Sequence, residues 1–164
     1  MKLGYDPQMG IDKHYLKQAN AMEKKVLELE SAEFQLGLLS SFSDEIQEKM
    51  LKSSLLDMEK AEADFNALIA AWHAGDTAKM DAELSKNMVK EPELKPVFDK
   101  LFYDRNVTMT DKIEGYLKTK DIHFVVAGAG HMVGEKGIVK LLQNKKYKVV
   151  QISKAAAKEP AGVK

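Results

Sequence analysis

The chain has 164 residues, balances 25 basic against 25 acidic side chains, and contains no cysteine. This length suits one domain with a hydrophobic core of its own. A formal charge of zero offers no basic stripe to nucleic acid, no apolar run approaches the ~20 residues of a membrane span, and without cysteine there are no disulfides, thiolate nucleophiles or cysteine-type zinc sites.

Residues 1–10 lack the apolar core of a secretory signal, so the chain as written is expected to be cytoplasmic. Asp12 to Met22 reads as a short helix. Lys25-Val26-Leu27-Glu28-Leu29-Glu30 alternates apolar and polar residues as a half-buried strand does. Ser31 is placed to cap a helix that begins with Phe34, Leu36 and Leu39, and Ser43 restarts it. Leu51, Leu55, Met58, Phe65, Leu68 and Trp72 then keep helical spacing for about six turns. Gly75 stops this helix and Asp76 caps the next, Thr77 to Met88. Past Pro92 and Pro96, the residues Phe98, Leu101 and Phe102 suggest a short helix, and Thr108 with Asp111 has the spacing of a capping box before Ile113 and Leu117. Ile122 to Ala127 is read as the central strand, Gly134 to Leu142 as a helix and Tyr147 to Ile152 as the last strand. The pattern predicts an α/β fold: a small, mostly parallel sheet of about three strands, with a large helical insert between the first and second. Residues 1–153 form the domain and residues 154–164 a disordered tail. Three strands leave an open edge, and this edge together with the long apolar stripe predicts a homodimer.

Three positions stand out chemically. Val125-Val126-Ala127-Gly128-Ala129-Gly130-His131 runs an apolar strand into a glycine turn and then a histidine. Open α/β folds place ligands at such junctions. Gly128 and Gly130 would let the backbone approach a ligand, and His131 could ligate a metal through either nitrogen or shuttle a proton near neutral pH. Of the 25 basic residues all but Arg105 are lysine, which points to a need for a planar fork at that site. Arg105 and Asn106 sit at a helix start and could clamp a carboxylate or an oxyanion. Glu30, at a strand end, could ligate a metal or act as a general base. Glu30, Arg105 and His131 are therefore expected to meet at the carboxyl ends of the strands. The third glycine after Gly128 and Gly130, Gly134, falls one residue late for a dinucleotide turn, and no acidic residue ends the last strand, so NAD is not expected.

Several stretches, taken in order, resemble one family. Tyr5-Asp6-Pro7-Gln8-Met9-Gly10 opens the chain, Leu29-Glu30 stands five residues before Gln35, Trp72-His73-Ala74-Gly75-Asp76 breaks a helix, Asp104-Arg105-Asn106 follows, and Gly128-Ala129-Gly130-His131 closes the set. Together they resemble the second half of TraB/GumN-type proteins, the family of the TIKI-type metal-dependent proteases, related to erythromycin-esterase-like and haem-binding ChaN-like proteins. The resemblance implies metal-assisted hydrolysis of a peptide or ester bond. Glu30 and His131 would be ligands of a divalent metal, Glu30 alternatively the base, and Arg105 an oxyanion or substrate clamp, with Asn106, Gly128 and Gly130 at the substrate. The family's first half carries another Gly-x-x-His element. None of His14, His73 and His123 has a glycine three residues before it, so a two-histidine site is incomplete in one copy. The alternative is a non-catalytic module that keeps the fold and binds haem, a peptide or a partner protein. If the chain is a fragment of a longer member, a periplasmic or secreted location is implied instead.

Overall fold

The computed structural model describes residues 4–56 and 60–152. The tail at residues 154–164 lies outside them, as does Met58 of the apolar stripe. After a 3-10 turn at Pro7–Met9, helix α1 spans Ile11–Ala21. Helix α2 (Ala32–Ser40) begins where the hydroxyl of Ser31 accepts the Phe34 N–H at 3.1 Å. The single long helix expected through Trp72 is divided: α3 spans Asp44–Leu56 and α4 spans Ala61–Ala74. Gly75 ends α4 in the left-handed conformation (φ 68°), where a Cβ is costly. Asp76 then accepts the Lys79 N–H at 2.9 Å and starts α5 (Thr77–Lys90), which packs back on α4.

The middle of the chain is one continuous helical rod. It opens with α6 (Lys95–Phe98), passes through a π turn at Asp99–Asp104 and continues as α7 (Arg105–Leu117). Phe98, Asp99, Asp104 and Arg105 all keep right-handed helical angles across the joins. Thr108, expected to cap the helix, lies inside it instead, and its hydroxyl donates to the Asp104 carbonyl at 3.3 Å. Two short helices follow, α8 (Ala129–Met132) and α9 (Ile138–Asn144). The core forms where α7 meets α9: Met109, Ile113, Ile138 and Leu142 are buried, with Leu29, Val125, Ala127, Tyr147 and Val149 packed around them.

The expected α/β fold is not what forms: among the described residues there is no strand and no sheet, and the architecture is helical. Two of the three segments read as strands keep part of their pattern, while in the first Val26 and Leu27 are exposed and Leu29 and Glu30 are both half-buried. Val125 and Ala127 are half-buried while Phe124 and Val126 are exposed, and Tyr147 and Val149 are half-buried while Lys148 and Val150 are exposed. Alternation encodes a segment with one apolar face. A sheet needs in addition a neighbouring backbone about 4.8 Å away. Here the apolar faces rest on the α7 and α9 core, and no backbone hydrogen bond joins the segments among the described residues. A side chain takes over part of that role, since Lys112 Nζ donates to the Leu29 carbonyl at 2.8 Å. The parallel βαβ unit and the open sheet edge are overturned with the sheet.

Much apolar surface stays exposed, including Phe124, Val150, Ile152 and a fully exposed Ile122. No described helix is long and apolar enough to cross a membrane. The turn from α8 into α9 is tight: a Cβ on Gly137 would overlap the Val133 carbonyl and approach Met132 C to 2.9 Å. These are backbone atoms, which cannot swing aside. Gly137→Ala is therefore expected to lower stability by about 1–3 kcal/mol, the usual cost of overpacking. Urea unfolding of the two proteins measures it, and an unchanged midpoint would mean the turn can open.

Candidate functional site

The site is organised by the first two residues of α7. Neighbours on a helix point about 100° apart, so Arg105 and Asn106 reach different parts of the chain. Arg105 grips Glu30 with a fork: Nε donates to Oε1 at 2.8 Å and Nη2 to Oε2 at 2.6 Å. Its Nη1 donates to the Leu101 carbonyl, one turn back inside the π turn, at 2.9 Å. The Glu30 side chain is only 5% exposed and that of Arg105 17%. A carboxylate so little exposed stays charged only with strong partners. Glu30 has them, since Gln35 adds a third donor to Oε2 at 3.3 Å. The hydrogen bonds and charge of Arg105 hold the Glu30 carboxyl below its ordinary value of 4.5, against the opposing effect of burial.

Asn106, 1% exposed, turns toward α8. Its Nδ2 donates to the Lys136 carbonyl at 2.8 Å, and its Oδ1 lies 2.7 Å from Nδ1 of His131. The histidine ring is also tilted against Phe102, with centroids 5.3 Å apart, and Phe102 stacks on Phe98 at 4.4 Å. Burial pushes the imidazole below its ordinary 6.5, the Arg105 charge adds to this, and Glu30 opposes it. His131 is thus neutral at pH 7, and its Nε2 makes no hydrogen bond among the described residues.

The structure therefore brings Glu30, Arg105, Asn106 and His131 into one cluster. Gly128 lies under the imidazole, where a Cβ would come 3.6 Å from Cδ2 of His131. Gly130 faces protein: a Cβ there would meet Leu84 at 3.2 Å and Phe102 at 3.3 Å. Asn106 is too buried to reach a ligand, and both ends of its amide are bonded internally. Arg105 keeps two of its five N–H groups uncommitted among the described residues.

A divalent metal needs several converging donors. Both Glu30 oxygens are taken by Arg105, and no group of three or more His, Cys, Asp or Glu side chains suited to a metal ion occurs among the described residues. The cluster offers one free imidazole nitrogen, and that does not fit a metal held by this chain alone.

A family model described as the TraB/PrgY/gumN family matches residues 1–151. The chain belongs to that family. No curated protein and no solved structure matches it. Within this TraB/PrgY/gumN chain, the supporting groups that residue-by-residue reading missed are Gln35, Phe102 and the carbonyls of Leu101 and Lys136. Gln35 had a signal, its place five residues after Glu30. Phe102 had only its helical spacing with Phe98, and the two carbonyls had none.

Stability should fall on acidification in two stages. Folding suppresses protonation of His131, so stability declines as pH drops below 6.5, where the unfolded chain takes up the proton first. It suppresses protonation of Glu30 too, so a further decline begins below 4.5 and continues through the depressed folded value. Glu30→Gln should reduce the second stage, to which Glu114, also held low by Lys145, still contributes, and cost about 1–3 kcal/mol at neutral pH, through loss of charge-assisted bonds. Melting temperature against pH for both proteins is the measurement. An identical acid limb in the two would show that the fork contributes nothing.

Proposed function

We propose that this TraB/PrgY/gumN chain is a binding module for peptide segments, with His131 and Arg105 as its contact groups. The observation that supports it is the pairing of an unengaged Nε2 on a neutral imidazole with the uncommitted N–H groups of an arginine whose charge is cancelled by Glu30. The cluster sums to zero charge, so it has little pull on a free anion. A peptide group suits it better: its N–H is a donor for the imidazole nitrogen and its carbonyl an acceptor for Arg105. Metal-dependent hydrolysis would require Glu30 to leave Arg105 and further donors to join His131. The homodimer belongs to the same proposal, supported by the exposed Ile122, Phe124, Val150 and Ile152.

The probe is a pool of random peptides capped at both ends, titrated into protein carrying isotope-labelled histidine. The His131 ring signals should shift, and His131→Ala should weaken binding about two- to tenfold, the loss of one hydrogen bond worth about 0.5–1.5 kcal/mol. Zinc ions shifting those signals where peptides do not would replace this reading with the metal one, and cleaved peptides in the mass spectrum would make the chain a hydrolase. For assembly, light scattering at micromolar concentration should give twice the chain mass, and a monomer would remove the dimer.

A further inference from the structure

We infer that Asn106 is a positioning residue that selects the tautomer of His131 and so decides which ligand chemistry the site accepts. This rests on the reading of His131 as a contact group, but its physical basis is separate. A carboxamide can present either end to a neighbour, and the two ends are opposite in hydrogen-bonding sense. In this chain the Lys136 carbonyl settles the choice. A carbonyl only accepts, so the atom 2.8 Å from it must be the amide nitrogen of Asn106. The other end, 2.7 Å from Nδ1 of His131, is then the oxygen. That oxygen only accepts, so Nδ1 carries the proton. Above the ordinary histidine range the ring is neutral, and a neutral imidazole has one N–H. Nε2 is therefore a bare lone pair.

The alternative tautomer would set two lone pairs face to face at 2.7 Å with Asn106 1% exposed, leaving no water to relieve them. Rotating the amide would instead turn its NH2 toward Nδ1 and set its oxygen against the Lys136 carbonyl oxygen. Both arrangements lose a buried hydrogen bond, so the chain Lys136 carbonyl, Asn106, His131 is fixed in one sense. The consequence is a polarity filter: Nε2 takes ligands that present an N–H, an O–H or an electron-pair acceptor, and rejects those that present only a carbonyl or carboxylate oxygen. The lever lies in the turn between α8 and α9, where Lys136 stands next to Gly137.

Long-range nitrogen–proton NMR of the ring reads the tautomer directly, without any ligand, at about pH 8, above the ordinary histidine range. Wild-type protein should show Nδ1 as the protonated nitrogen and Nε2 as the bare one. Asn106→Leu removes the acceptor and should convert the signals to those of an exchanging mixture. Asn106→Asp restores an acceptor and should restore the Nδ1–H pattern, although its bond to the Lys136 carbonyl is lost. A wild-type ring protonated on Nε2 overturns the inference, as does an Asn106→Leu spectrum identical to wild type. Because the wild-type spectrum alone can refute it, misfolding of either variant leaves the test intact. A correct tautomer with no peptide binding would sink the peptide reading and leave this inference standing.

Discussion

Two adjacent side chains at the head of α7 hold the site together. Arg105 closes a fork on Glu30, and Asn106 bonds His131 and the Lys136 carbonyl. One point on one helix thus anchors the end of the segment before α2 and the start of α8, which are separated by 101 residues in sequence. The helix can do this because the π turn at Asp99–Asp104 precedes it and supplies a carbonyl, that of Leu101, to a third face of the guanidinium. π turns are rare and recur where a helix has to present side chains out of its regular register. Behind this head, the buried Met109 and Ile113 of the same helix carry the core against α9, so the site and the core share one support.

The electrostatics of the cluster follow from that arrangement. A lone glutamate only 5% exposed would lose its charge, and a lone arginine beside it would draw in anions. Paired, each satisfies the other and the field outside is small. Beside the pair stands the imidazole of His131, lowered in basicity by burial and by Arg105. Glu30 therefore acts as the keeper of Arg105, and the groups of the cluster without a hydrogen bond among the described residues are the outer N–H groups of the arginine and one imidazole nitrogen. Of the expected metal ligands Glu30 and His131, Glu30 is engaged by Arg105 through both oxygens.

The absent sheet shows how a correct local reading can yield the wrong architecture. The alternation in residues 124–127 and 147–150 is expressed in burial, with every second side chain turned to the α7 and α9 core. Periodicity reports which side chains share a face and says nothing about which backbone lies alongside. The helical stripe from Leu51 to Trp72 failed for a related reason. Spacing read along the sequence cannot tell one helix from two in succession.

By itself the sequence determined the local devices and the membership in a family. The caps at Ser31 and Asp76 and the stop at Gly75 depend on side chains within three residues of one another, and local chemistry is enough to read them. The scarcity of arginine singled out Arg105, and the ordered motifs from Tyr5 to His131 carried the family resemblance across nearly the whole chain. Only the tertiary structure decided what those residues do to one another. That Glu30 is bound by Arg105, that Asn106 is buried away from any ligand, and that Gly130 packs on Leu84 and Phe102 are outcomes of distant contacts. Such contacts depend on where whole helices come to rest, and on backbone carbonyls such as that of Lys136, which every residue possesses and no sequence pattern marks.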